Sequence, residues 1–268
     1  GVIKLRNGEY TSLNLGIDFE QTIHMRAQII KHTADIFAPD MVIVDKEPLG
    51  LRGEMEDTLR MLKARGTRLV LGLRDIMDDP AMLAPEWERK NAMPALRDLY
   101  DEIWVYGLPQ ICDPLQGLKV PRQVRRRMTY TGYLHRQAPT EPSTRPLPSI
   151  VSEPYVLVTT GGGGEGEGLI DWVLRAYEAD SHTLYPALIV LGPFMQPETQ
   201  AEFIDRANKL DRVQAITFDA KLEELENNAI GVVAMGGYNT FCEILSFNKR
   251  ALIIPRTRPR MEQFIRAS

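Results

Sequence analysis

Apolar and polar positions follow two different periods along this chain. A helical period covers about residues 20–37, where apolar side chains recur every three or four residues, at Phe19, Ile23, Ala27, Ile30, Ala34 and Phe37. Pro39 interrupts that period, and an apolar run at residues 41–44, ended by Asp45, follows it. The pattern therefore predicts a helix, a turn and a buried strand in succession.

The same order of elements repeats as far as residue 131. Apolar spacing predicts helices over 55–64 and 87–99, and strands over 68–73, 102–106 and 128–131. Helices that alternate with buried strands are typical of a parallel sheet whose faces are covered by helices. The N-terminal part of the chain is therefore expected to be an α/β domain.

The composition changes between His135 and Glu153, where prolines accumulate. Proline cannot donate a backbone hydrogen bond, so this stretch does not fit a central strand. We interpret residues 137–152 as a linker between an incomplete N-terminal α/β domain at 1–136 and a C-terminal α/β domain at 153–268. Further strands are predicted near residues 155–159, 187–191, 213–217, 230–235 and 250–254. The predicted fold class is α/β, with two doubly wound, Rossmann-like domains that face each other across a cleft.

Two glycine-rich turns in the C-terminal part each lie between a predicted strand and a predicted helix. The first begins at Gly161, and the second contains Gly236 and Gly237. Glycine takes positive φ and lets a ligand approach the backbone, and a helix N-terminus attracts phosphate. Asn239 or Thr240 is expected to cap the second helix. Two such turns in one domain predict one shared, phosphorylated ligand.

Three arginines follow the predicted strand at 250–254, in a proline-bearing loop that ends at Glu262 and Gln263. They are Arg256, Arg258 and Arg260. Guanidinium groups pair with phosphate oxygens in a bidentate way, so this loop is a second candidate for a diphosphate contact. Arg256 is the preferred contact, and a solvated loop is the alternative.

Composition and charge exclude several classes of protein. The chain has 268 residues, 44% of them hydrophobic, and a formal net charge of −4, which argues against a general nucleic-acid-binding protein. The two cysteines, Cys112 and Cys242, form no metal or redox motif, which favours a reducing, cytoplasmic location. No acidic spacing matches a metal-binding loop, so no metal is expected. The basic run at 122–127 is interpreted as a solvated face, with peripheral contact to an anionic membrane as the alternative.

Four segments of the C-terminal half together resemble the GT-B glycosyltransferases, in particular the MurG-like group that forms lipid II. They are a glycine loop after a strand, a glycine turn that leads to a glutamate, a proline loop that ends in an acidic residue and Gln, and a short Thr-Gly segment. These segments lie at residues 159–164, 236–243, 255–263 and 130–136. The resemblance covers most of residues 128–268.

The resemblance implies a nucleoside-diphosphate sugar donor, UDP-linked, with no resident cofactor. The glycine loops and the helix N-terminus would hold its diphosphate, with the following residues in contact: Gly161, Gly162, Gly163, Gly164, Gly236, Gly237, Tyr238, Asn239 and Thr240. It further implies that Glu243 binds the ribose hydroxyls, and that Glu262 and Gln263 contact the donor sugar. The first domain would bind an acceptor that is a small molecule, a glycan or a lipid-linked molecule.

A catalytic base is expected in the N-terminal domain. Asp45 and Glu47 end a predicted buried strand, where a carboxylate can deprotonate an acceptor hydroxyl. The alternative is a helix cap or an ion pair with Lys46. His24, on the predicted first helix, is a third candidate, and an exposed or structural histidine is its alternative.

The opening of the chain departs from that group, because it lacks the usual first strand and glycine loop. The chain also stops soon after Gln263. We therefore expect a protein trimmed at both ends, and inactive by itself if so. Two further functions remain open at this point, a nucleotide-sugar hydrolase or epimerase and a non-catalytic nucleotide-binding or scaffold domain.

Overall fold

The computed structural model describes residues 2–4, 10–12, 18–138, 140, 146–161, 166–180 and 185–268. The chain divides into two compact units. Unit 1 consists of Gly1–Leu134 together with Pro259–Glu262, and unit 2 of His135–Arg258 together with Gln263–Ser268. Each unit contains its own parallel sheet and its own hydrophobic core.

Unit 1 begins with a short antiparallel hairpin of β1 (Val2–Lys4) and β2 (Tyr10–Ser12). Its main sheet has four parallel strands in chain order: β3 (Met41–Asp45), β4 (Arg68–Arg74), β5 (Glu102–Tyr106) and β6 (Met128–Tyr130). In the described part of unit 1, five helices accompany this sheet: α1 (Phe19–Phe37), α2 (Glu56–Ala64), α3 (Pro80–Arg89), α4 (Ala92–Asp98) and α5 (Arg122–Arg125). Leu69, Leu71 and Leu73 of β4 are fully buried, which explains the continuous apolar run of this central strand.

The single helix predicted over 87–99 is wrong. The structure has two helices there, α3 and α4, separated at Asn91, whose φ is 52°. A continuous helix would require a backbone donor at position 94, which is a proline, whereas in α4 Pro94 lies in the first turn and needs no donor. The predicted start at residue 87 is also wrong, because α3 begins at Pro80. There the Asp79 carboxylate accepts a hydrogen bond from Ala81 N at 2.8 Å and caps the helix.

Unit 2 has a five-stranded parallel sheet in the order β11-β10-β7-β8-β9. Its strands are β7 (Val156–Thr159), β8 (Ala187–Val190), β9 (Val213–Ile216), β10 (Gly231–Ala234) and β11 (Ala251–Ile253). Its helices are α6 (Glu167–Ala179), α7 (Pro197–Ala207), α8 (Leu222–Asn228), α9 (Tyr238–Ser246) and α10 (Glu262–Ala267), the last of which starts in unit 1. The five strands agree with the predicted ones to within about two residues.

The strand order of unit 2 reverses at β7. From β7 the chain adds β8 and β9 on one side, and then returns to add β10 and β11 on the other side. This arrangement is the doubly wound topology, and its switch point lies between β7 and β10. Ligands of such sheets bind outside the carboxyl ends of the strands at that point.

Candidate functional site

The glycine turns of unit 2 lie together at the switch point. Gly161 follows β7 and Gly236 follows β10, and these two strands are hydrogen-bonded neighbours with Thr159 opposite Ala234. A Cβ atom at Gly161 would lie 3.6 Å from Thr240 Oγ1, so the first turn borders the N-terminus of α9. The other glycines of the first loop, Gly162, Gly163 and Gly164, lie outside the described residues.

The backbone at both turns requires glycine. Gly161 has φ 69° and Gly236 has φ 77°. A Cβ atom at Gly236 would also approach Ile253 Cγ2 of β11 to 2.8 Å. Arg266 of α10 donates a hydrogen bond to Gly236 O at 2.8 Å, and its guanidinium lies over the ring of Tyr238. The turn before α9 is therefore fixed from both sides.

The expected cap at the start of α9 is wrong. The cap residue is Gly237, with no side-chain hydrogen bond, and Asn239 and Thr240 are already helical. The first helical bond runs from Phe241 N to Gly237 O at 2.9 Å. Within the described part of the chain, the N–H groups of Asn239 and Thr240 have no hydrogen-bond acceptor. A bound anion would accept hydrogen bonds from these two N–H groups at the helix N-terminus.

One face of α9 carries the polar residues Asn239, Glu243 and Ser246, at positions separated by four and three residues. Arg136 lies along this face, since its Nη2 donates to Asn239 Oδ1 at 3.4 Å and its backbone N donates to Ser246 Oγ at 2.9 Å. Burial and the charge of Glu223 raise the pKa of Glu243, while Arg136 opposes that rise. Glu243 is thus a half-buried carboxyl group with a cation beside it.

The carboxyl group of Glu226, on α8, interacts with the carboxyl group of Glu243. The Glu226 side chain is fully buried, and neither carboxyl oxygen has an N–H or O–H donor among the described residues. Burial, then the carboxylates of Glu243 and Glu223, raise its pKa to about 8. At neutral pH Glu226 is therefore protonated, and it donates a hydrogen bond to Glu243.

The proline loop after β11 contributes to both units. Gln263 is buried in unit 2, and its Oε1 accepts a hydrogen bond from Arg256 N at 3.2 Å, so Gln263 shapes the loop that carries Arg256. Glu262 belongs to unit 1, together with Arg260. The Arg260 guanidinium forms ion pairs with Glu86 at 2.7 Å and Asp78 at 3.6 Å, both of which belong to unit 1.

Asp45 and Glu47 differ sharply in their surroundings. The Asp45 side chain is 60% exposed and contacts only Arg74, at 3.4 Å, among the ion pairs of the described residues. Glu47 accepts from Lys90 at 2.8 Å and lies 3.8 Å from Arg260. Neither carboxylate forms the expected ion pair with Lys46 in the described part of the chain. Asp45 is therefore the more accessible of the two candidate bases.

A cavity of about 930 Å³ opens in unit 1 beside Glu47. Its walls are the loop at residues 47–53, parts of α3, and Pro259 with Arg260. Its volume is within the range of small-molecule sites. His24 is exposed on α1, does not line this cavity, and has no hydrogen bond or ion pair among the described residues.

Two further predictions concern metals and membranes. In the ranges that the structure describes, no three His, Cys, Asp or Glu side chains meet as metal ligands, and no helix is long and apolar enough to cross a membrane. Part of the basic run has structural contacts, because Arg125 pairs with Asp113 at 2.6 Å and Arg127 donates to the carbonyls of Arg97 and Tyr100, both at 2.8 Å.

Sequence reasoning missed Arg136, Glu226 and Arg266 as members of this site. Arg136 ends the Thr-Gly segment at 130–136 and Arg266 follows Gln263 by three residues, but their contacts with Asn239 and Gly236 depend on tertiary packing. Glu226 lies in the acidic stretch Leu222–Asn228, which is typical of an exposed helix. Its burial is a consequence of tertiary packing.

The comparisons with known proteins support the fold. No protein-family model matches the sequence, and no curated protein is similar to it. Among solved structures, the glycosyltransferase of kitacinnamycin matches with a TM-score of 0.58 and 13% identity, over 94% of this chain and 68% of that one. A UDP-glucosyltransferase from Polygonum tinctorium matches with a TM-score of 0.60 and 13% identity, over 95% of this chain and 68% of that one.

A third match is the complex of S. aureus MnaA with UDP, with a TM-score of 0.59 and 13% identity, over 90% of this chain and 64% of that one. The chain thus spans about two thirds of the length of these structures. At this identity the likeness shows the fold, which is α/β with two Rossmann-like units of the GT-B type. The predicted fold class and the resemblance to GT-B glycosyltransferases are therefore confirmed.

Proposed function

We propose that the protein to which this chain belongs transfers a glycosyl group from a nucleoside-diphosphate sugar, UDP-linked, to an acceptor hydroxyl. The observation that carries the proposal is the switch point of unit 2, where two glycine turns border the N-terminus of α9. Similar solved structures include glycosyltransferases and a complex with UDP, which supports this choice of ligand. Donor binding is assigned to residues 153–268 and acceptor binding to residues 1–136.

The donor diphosphate binds at the glycine turns. The N–H groups of Asn239 and Thr240 point out of the first turn of α9, and the positive end of the helix dipole attracts anions there. Gly161, Gly236 and Gly237 let phosphate oxygens reach the backbone, and Tyr238 belongs to the same turn. Gly162, Gly163 and Gly164 complete this contact in the proposal, together with Arg256.

Glu243 accepts hydrogen bonds from the ribose hydroxyls. Its position on the second turn of α9 is beyond the phosphate-binding N–H groups, on the face that also carries Asn239. Arg136 and protonated Glu226 hold its carboxyl group. Gln263 and Glu262 are assigned to the donor sugar, as the resemblance implies.

The acceptor occupies the cavity of unit 1, which Glu47 lines, and Asp45, two residues before that wall, takes the proton from the acceptor hydroxyl. Asp45 is favoured because its carboxylate is exposed, whereas Glu47 is held by Lys90. His24 is the remaining candidate base. As the sugar leaves, charge accumulates on the diphosphate, and the α9 N-terminus with Arg256 stabilises it without a metal ion. A cytoplasmic location and peripheral contact with a membrane remain parts of this proposal.

Calorimetric titration of the chain with UDP, GDP and dTDP tests the donor site. We expect UDP to bind, and the Glu243→Ala variant to bind it at least tenfold more weakly. Glu198→Ala is the matched control, because Glu198 is an exposed glutamate in the first turn of α7, outside the site. Equal UDP affinity in folded Glu243→Ala and in Glu198→Ala would contradict the ribose assignment. Release of free sugar and UDP from a UDP-sugar in water, without an acceptor, would indicate a hydrolase instead.

A further inference from the structure

Lys46 occupies an unusual backbone conformation at the end of β3. Its φ is 67°, and the N–H of Glu47 donates to Asp45 O at 2.7 Å across it. A three-residue turn with positive φ at its centre is rare and strained for any residue with a side chain. Glycine would relieve the strain, yet the position holds a lysine. Strained positions of this kind concentrate at ligand-binding and catalytic sites.

The strained turn places the Lys46 side chain in a half-buried position near two guanidinium groups. Burial, then the charges of Arg260 and Arg74, lower the pKa of Lys46 to about 8. Glu262 and Glu47 act in the opposite direction, with smaller effects. Burial therefore penalises the Lys46 ammonium as long as no anion pairs with it, and an anion bound beside it would offset that cost.

Two of the carboxylates near Lys46 are engaged by other cations. Glu47 contacts Lys90 at 2.8 Å and Arg260 at 3.8 Å, and Asp45 contacts Arg74 at 3.4 Å. The Lys46 ammonium takes part in no hydrogen bond and in no ion pair within 4.0 Å in the described ranges. A half-buried cation thus stands beside two others without a counter-ion of its own.

We propose that Lys46 and Arg74 form a subsite for an oxyanion, the phosphate or carboxylate group of a ligand. Lys46 directly follows β3 and Arg74 ends β4, and these strands are paired with Asp45 opposite Gly72. The carboxyl ends of parallel strands are where such sheets bind ligands. Lysine supplies a compact charge and arginine a forked donor, a combination suited to phosphate. Arg260 adds to the field but is held by Glu86 and Asp78.

This subsite does not depend on glycosyl transfer. Its anion has two possible forms, a phosphate group or a carboxylate group on the acceptor. Both anions offer charged oxygen atoms to Lys46, so the geometry of the subsite does not distinguish them and a titration is needed.

The test follows the ammonium signal of Lys46 by NMR while inorganic phosphate is added. We expect phosphate to shift this signal and to raise the pKa of Lys46 by about one unit, as an opposite charge within ~4–6 Å does. Lys46→Gly removes the charge and relieves the positive φ, so it should fold at least as well as the parent protein. It is expected to lose at least tenfold in phosphate affinity at this subsite, measured on the Arg74 guanidinium signals.

Lys119→Met is the matched control, because Lys119 is exposed and has no hydrogen bond or ion pair in the described part of the chain. Its phosphate affinity should be unchanged. An unmoved Lys46 signal at saturating phosphate, or equal affinity in Lys46→Gly and Lys119→Met, would overturn the proposal.

Titration with inorganic phosphate and with acetate then identifies the form of the anion. If phosphate moves the Lys46 signal and acetate does not, the subsite receives a phosphate group. If acetate moves the signal as strongly as phosphate does, the subsite receives a carboxylate. UDP affinity in Glu243→Ala tests the donor site of unit 2, and the Lys46 signal tests the subsite of unit 1. The proposed function and this subsite can therefore fail independently.

Discussion

Replacement of Glu226 by glutamine isolates the energetic cost of a buried carboxyl group. Glu226 is fully buried on α8, and its partner is the carboxyl group of Glu243 rather than a cation. Lys249 lies nearby, but its Nζ donates to the carbonyls of Asn227 and Ala229. Glutamine has the shape of the protonated acid, stays neutral at every pH and can donate to Glu243.

The magnitude follows from the pKa. Burial and the two neighbouring carboxylates raise the pKa of Glu226 from 4.5 to about 8 in the folded protein. Each unit corresponds to about 1.4 kcal/mol, so the shift is equivalent to roughly 4 to 5 kcal/mol. Because the folded pKa is the higher one, this stability is fully present below pH 4.5. It is lost progressively as the pH rises through 8.

Urea unfolding of the parent protein and of Glu226→Gln at pH 5, 7 and 9 measures this effect. We expect the free energies of unfolding to be similar at pH 5. At pH 9 the variant should be more stable by about 3 kcal/mol or more. Glu198→Gln, at an exposed position, is the control and should follow the parent protein at every pH. Parallel pH profiles for the parent protein and Glu226→Gln would refute a buried, protonated Glu226.

Three other substitutions test the local geometry. Gly236→Ala combines φ 77° with a contact of 2.8 Å to Ile253 Cγ2, and it should destabilise the protein by about 1–3 kcal/mol in urea unfolding and weaken UDP binding in calorimetry. Gly72→Ala would place a methyl group against the Tyr106 ring, and we expect a similar loss of stability together with a changed near-UV circular dichroism signal. Arg260→Met leaves the Glu86 and Asp78 carboxylates without this cation, and it should cost about 3 kcal/mol in urea unfolding at pH 7, with a smaller loss at pH 4. An unchanged unfolding midpoint in any of these variants would contradict the corresponding contact.

The central strands were predictable because parallel strands inside a sheet are buried on both faces, and the strands predicted at 68–73 and 187–191 have almost the bounds of β4 and β8. The strand predicted at 41–45 has the bounds of β3, but its predicted burial is wrong, because β3 lies at the edge of its sheet with Met41 and Ile43 exposed. The glycine turns were predictable for a related reason, since only glycine takes the φ values of Gly161 and Gly236 easily.

Other features depend on tertiary contacts that a local pattern does not contain. In sequence, Arg260 lies in the same proline-bearing loop as Arg256, and nothing local shows that its partners are distant. Glu86 and Asp78, about 180 residues earlier, pair with Arg260 in unit 1. Lys46 entered the sequence reasoning only as an ion-pair partner, because its positive φ is a property of the backbone. The break between α3 and α4 depended on Asn91 and Pro94, whose effect the apolar spacing obscured.

The backbone amide signals of Asn239 and Thr240 test the central claim most directly. In an NMR titration with UDP, the account predicts that these two signals shift and become protected from hydrogen exchange, together with Gly161 and Gly236. Exposed amides of α7, distant in sequence from the site, should not change. Saturating UDP that leaves the Asn239 and Thr240 signals unmoved in the folded protein would contradict a nucleoside-diphosphate site at the switch point of unit 2.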